Sequence, residues 1–105
     1  MAKLNVYEKT LRKEYLTDIA KEGGIVQAYR GLRVTVAVMP SICNTDRARF
    51  ARVAVAHCAE ADTFKRKRGE LIAAERVLTG AVFSVPVEGR ELWEIADSVA
   101  MFLGN

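Results

Sequence analysis

The chain predicts an α+β domain, an antiparallel sheet with three helices packed on one face, in the order α-β-β-β-α-β-α. Three observations predict it. Apolar residues recur at helical spacing over 5–22, 63–79 and 91–103. Valines alternate with smaller or polar residues at 33–39, and the alternation returns at 52–57. The connections between these runs are mostly short and hairpin-like, which suits antiparallel neighbours. With 105 residues there is room for one core, so 1–105 reads as a single domain.

The first helix spans 5–22. Asn5 can cap it, and Tyr7, Leu11, Tyr15 and Ile19 recur every four residues to give one apolar stripe. Glu8 and Arg12 form a favourable pair one turn apart. Gly23-Gly24 then closes the helix, because glycine takes the left-handed closing conformation without strain. Ile25 to Tyr29 reads as a short strand, and Arg30-Gly31 as the turn after it. From Arg33 to Met39 the valines at 34, 36 and 38 have period two, the mark of a half-buried strand. Pro40 stops it before a polar loop from Ser41 to Asp46.

The segment 47–58 carries two signals. Six alanines between 48 and 61 favour a helix, but Arg52-Val-Ala-Val-Ala-His57 repeats the alternation of the preceding strand. Two matched alternating runs joined by a polar loop predict a hairpin. Asp62 is placed to cap the helix at 63–79, and Gly80 ends it. Phe64, Leu71, Leu78 and, at the margin, Ile72 mark its expected buried meridian, with Arg68 and Glu75 near that line either as an internal ion pair or two side chains snorkelling at the rim, or with Arg68 as a semi-buried arginine aimed at a ligand. Gly69 inside it costs about 1 kcal/mol relative to alanine, which reads equally as room for close backbone approach by a neighbouring strand or a partner and as plain tolerance. Ala81 to Val87 reads as a strand whose Pro86 belongs at a sheet edge. After the turn Glu88-Gly-Arg90, the last helix, 91–103, buries Leu92, Ile95, Ala96, Val99 and Leu103, with Trp93 as a structural residue. Its acids Glu91, Glu94 and Asp97 suit the positive end of the helix dipole.

The net charge of +3 is mild, but its distribution is uneven. Residues 47–68 hold seven cations, Arg47, Arg49, Arg52, Lys65, Arg66, Lys67 and Arg68, against two acids; the rest of the chain holds nine against eleven. Four of these cations crowd the start of the 63–79 helix, where each meets the positive end of the macrodipole and costs roughly 0.3–1 kcal/mol. A sequence selected for stability alone would place acids there. A concentrated patch on a near-neutral body is the footprint of polyanion contact.

Signals of chemistry are thin. His57, Cys58, Glu60, Asp62 and Cys43 are metal-capable types, but they lack Cys-x-x-Cys or His-x-x-x-His spacing, so no metal is expected. His57 and Cys58 are adjacent on a strand and point to opposite faces, which excludes a base and nucleophile pair. No glycine-rich phosphate loop, nucleophile elbow or evident carboxylate pair appears, so neither an enzyme nor a cofactor is expected. No apolar run approaches the roughly 18 residues that cross a bilayer, so no membrane contact is expected. The opening Met-Ala-Lys-Leu-Asn-Val-Tyr-Glu lacks the apolar core of an export signal, and two cysteines make no disulfide framework. The expected compartment is the cytoplasm.

From about Val53 to Leu78 the chain resembles small accessory proteins of bacteriophages and mobile elements. The shared elements are an alternating strand ending in Cys58, then Asp62-x-Phe64-x-Arg66-Lys67-x-Gly69, then Ile72-Ala73 and Arg76. Glu70 stands where that pattern has a basic residue. The resemblance implies a phage-type protein that acts by binding, in the host cytoplasm if phage-encoded. The residues themselves predict a nucleic-acid-binding protein using Arg47, Arg49, Arg52 and Lys65 to Arg68 on phosphates, without base readout. The alternative is an interaction module whose patch meets an acidic host protein surface and inhibits or redirects that protein. A third reading is a homo-oligomer joined through exposed strand edges.

Overall fold

The computed structural model describes residues 4–40, 49–58 and 63–104. The elements are α1 (Val6–Lys21), β1 (Ile25–Tyr29), β2 (Val34–Pro40), β3 (Phe50–His57), α2 (Arg66–Thr79), β4 (Phe83–Pro86) and α3 (Leu92–Leu103). The order is the one the sequence predicts, and each boundary lies within three residues of expectation. All four strands are antiparallel neighbours in the order β1-β2-β3-β4. The described part of the 47–58 segment forms the strand Phe50–His57 in register with β2, Val36 opposite Val55 and Val38 opposite Val53. Pro86 ends the edge strand β4, where a missing N–H costs little.

The helices cover both faces of the sheet, not one. On one face Val34, Val36, Val38, Ala51 and Val53 pack against Ile95, Ala96, Val99 and Ala100 of α3. On the other, Ala37, Met39, Ala54 and Ala56 pack against Ala73, Ala74 and Val77 of α2 and Ile19 of α1. β2 is therefore buried on both sides from Val34 to Met39 rather than half-buried. The small residues between its valines accept a helix instead of water. Ala54 and Ala56 of β3 have the same cause, since they let α2 lie close to the sheet.

Gly69 marks the tightest approach. A methyl group there would stand 2.3 Å from Thr35 Oγ1. α2 consequently buries the face of Glu70, Leu71, Ala73, Ala74 and Val77. That face is rotated from the expected meridian, because small residues sit at closest contact while Ile72 and Leu78 flank it.

In α1, Asn5 caps as expected. Its side chain accepts from the Glu8 N–H at 2.8 Å and Glu8 Oε1 accepts from the Asn5 N–H at 3.1 Å, a reciprocal capping box. Gly23, at φ +80°, closes the helix in the left-handed region. The four-residue stripe does not hold throughout, since a spacing of four overshoots a 3.6-residue turn by about 40° per step. Ile19 is buried and Leu11 and Tyr15 half-buried, but Tyr7 is turned out to solvent.

Candidate nucleic-acid interface

Helices α1 and α2 lie side by side and run in the same direction, tied by two crosslinks in matching order. Arg68 donates to both Glu8 oxygens, at 2.6 and 3.2 Å. Arg12 holds Glu70 Oε1 through Nη2 at 2.6 Å and Nε at 3.0 Å. Arg68 therefore pairs with Glu8 rather than Glu75, which is exposed, and Glu8 bonds across to α2 rather than to Arg12 of its own helix. Glu70, the acid in place of a basic residue, is the buried anchor of this contact, with Arg66 a further 3.7 Å away.

Parallel alignment puts both helix N-termini at one end of the molecule. The β1–β2 turn is there too, as is the His57 end of β3. A cleft of about 570 Å³ opens between them, and the cations lining it are Lys9, Arg30, Lys65, Arg66, Lys67 and Arg68. Its apolar floor is Leu4 and Phe64, and the Arg30 guanidinium lies 5.6 Å from the Phe64 ring centroid. Among the described residues, Lys9, Arg30, Lys65 and Lys67 form no ion pair.

The start of α2 differs from expectation. The helix begins at Arg66, the capping position is Lys65, and there is no side-chain cap and no acid in the first turn. Asp62, the expected cap, lies outside the described residues. The dipole of α2 is thus left positive and surrounded by positive side chains. The surrounding potential favours an anion at this end.

The seven cations singled out in the sequence do not form one patch. Lys65, Arg66 and Lys67 are exposed at the cleft, and Arg68 is half-buried there in its Glu8 pair. Arg49 and Arg52 sit at the other end of β3, about 26 and 17 Å from His57 at some 3.3 Å per residue. Arg52 is half-buried, its Nη2 donating to the Pro40 carbonyl at 3.3 Å. Arg47 lies outside the described residues. Two cleft cations, Lys9 and Arg30, are not legible as site residues in the sequence, because only the parallel helix pair and the β1–β2 turn bring them to Lys65. Their single legible signal is that each lies within a few residues of an element's end.

His57 and Cys58 diverge as strand geometry requires. His57 Nε2 lies 3.2 Å from the Leu103 carbonyl at the end of α3, while the buried Cys58 Sγ accepts from Arg33 Nη2 at 3.3 Å. Cys43 is outside the described residues. Among those described, no group of three or more His, Cys, Asp or Glu side chains could hold a metal ion, and no helix is long and apolar enough to cross a membrane. Compared with known proteins, the chain matches no family model, no curated protein and no solved structure.

Proposed function

We propose that this chain is a non-enzymatic nucleic-acid-binding protein of phage or mobile-element type, acting in the cytoplasm, and that the basic cleft is its phosphate-contact surface. The observation that carries this reading is the convergence of Lys9, Arg30, Lys65, Arg66 and Lys67 on two helix N-termini, with the nearby acids Glu8 and Glu70 already engaged by arginines. Folding alone gains nothing from such an arrangement, and a row of phosphates would relieve it. Flexible lysines and arginines on a broad cleft suit backbone contact, so binding is largely independent of sequence.

Replacing Lys65, Arg66 and Lys67 together by alanine tests it. Affinity for nucleic acid is expected to fall, and the slope of log affinity on log salt to flatten by about 0.9 for each duplex phosphate that is no longer neutralised. Arg49→Ala, at the far end, leaves both unchanged. A triple variant with unaltered affinity and slope would refute the assignment. A pull-down with and without nuclease separates the second reading: a nuclease-resistant protein band would make the cleft the face for an acidic protein surface.

A further inference from the structure

We infer that the basic cleft receives single-stranded rather than duplex nucleic acid, with an unpaired base stacked on the Arg30 guanidinium. This rests on the phosphate-contact reading above and adds to it the class of strand. Phosphates alone need no apolar surface, yet the floor of the cleft is Leu4 and Phe64. The Arg30 guanidinium lies over the Phe64 ring, 5.6 Å from its centroid.

The two members of that pair divide the work. Phe64 is only 7% exposed, so its ring is closed to a ligand and acts as a support. Arg30 is exposed on the turn after β1 and forms no ion pair among the described residues. The side of its guanidinium turned away from the ring is therefore open to the cleft. A planar cation stacks on any base, since every base presents a π face. Resting on the ring, the side chain also has less rotamer freedom to lose when a ligand arrives. Lys9, Lys65 and Lys67 are exposed around it and suit the flanking phosphates, each as a compact point charge.

A duplex cannot use that floor. Its bases are paired inside, and only their groove edges are open. At the cleft α1 and α2 stand side by side, joined by the Arg68–Glu8 and Arg12–Glu70 pairs. A helix is about 10–12 Å across with its side chains, so two together are wider than the roughly 12 Å major groove. The convex rod would meet the outer lysines and leave Arg30 and the apolar floor uncovered. An unpaired strand brings backbone charge and free bases together. The cleft volume, about 570 Å³, falls among the roughly 300–1,000 Å³ of pockets that enclose a small molecule, which is room for a nucleotide.

Three fluorescently labelled probes test this by anisotropy: a strand of about twelve nucleotides without self-complementarity, its duplex, and an abasic strand of equal length. The single strand is expected to bind about tenfold or more tighter than the duplex, and likewise tighter than the abasic strand, which carries the same phosphates without bases. Arg30→Lys keeps the charge but removes the plane. It is expected to weaken the single strand about tenfold, to spare the abasic strand and to leave the salt slope and cooperative melting unchanged. Salt-dependent binding of equal strength to the single strand and to either other probe would overturn the inference and leave the phosphate reading standing. Arg30→Lys binding the single strand as tightly as the parent would do the same. Failure to bind all three probes would remove the phosphate reading, and this inference with it.

Discussion

Two side chains show how local chemistry sets global behaviour. Thr35 is fully buried on β2, and its hydroxyl, with no hydrogen-bond partner among the described residues, faces the bare backbone of Gly69. Gly69→Ala would gain about 1 kcal/mol of helix propensity, but the clash with Thr35 reverses the sign, for a net loss of about 1–3 kcal/mol. Adding Thr35→Ala removes the hydroxyl and recovers most of it. Denaturant melts of the single and double variants check this, and a Gly69→Ala variant more stable than the parent would contradict it. Glu8 sets a pH dependence. The Arg68 guanidinium, and next the Asn5 N–H, hold its carboxyl below the ordinary 4.5. A lowered pKa means that the unfolded chain takes the proton first, so this stabilisation is complete above pH 4.5 and lost as pH falls through the folded value. The gap in melting temperature between the parent and Glu8→Gln is expected at pH 7 and should close below pH 4.5. Tyr29 has the opposite sense. Burial, and then the Asp97 carboxylate accepting its hydroxyl at 2.5 Å, push the phenol up, so its contribution holds below pH 10 and fades as pH rises above it.

The elements differ in how they meet the core, and substitutions should rank them. Ile95 in α3 is fully buried beneath the valines of β2 and β3, whereas Leu92 and Leu103 are only half-buried. Ile95→Ala is expected to cost about 2–5 kcal/mol and Leu103→Ala distinctly less, because its site is open to solvent on one side. Equal losses by thermal melting would place Leu103 in the core after all. Which residues form elements was legible from periodicity and caps, as with Asn5, Pro40 and the β2–β3 alternation. Which face they bury was less so. Thr35, Ala37, Ala54 and Ala56 looked like the solvent side of two strands because they are small or polar, yet smallness is what a closely packed helix needs opposite it. Trp93 looked structural by size but is more than half exposed, since its position on α3 lies away from the sheet.

At the scale of the molecule, topology divides the cations that sequence proximity had grouped. A run such as Lys65 to Lys67 stays together in any fold, so it was legible. Arg49 and Arg52 are separated from it by the length of β3, while Lys9 and Arg30 reach it only because α1 and α2 run parallel. The resulting asymmetry makes one end of the molecule an unrelieved concentration of positive charge, and that has a thermodynamic signature without any nucleic acid present. An anion that binds the folded cleft but not the unfolded chain stabilises by RT ln(1 + [L]/Kd), about 1.4 kcal/mol for each tenfold of free anion above its Kd. Inorganic phosphate is therefore expected to raise the melting temperature above that in chloride at matched ionic strength, by some 4–8 °C per kcal/mol for a domain of this size. Replacing Lys65, Arg66 and Lys67 by alanine should do two things together. It raises the melting temperature at low salt, because cations leave a helix N-terminus, and it reduces the extra effect of phosphate over chloride. Arg49→Ala, at the opposite end, keeps that effect. If phosphate and chloride act alike on the parent, the cleft does not gather anions. If the effect survives the triple substitution but falls with Arg49→Ala, the anion-binding end of the molecule is the other one.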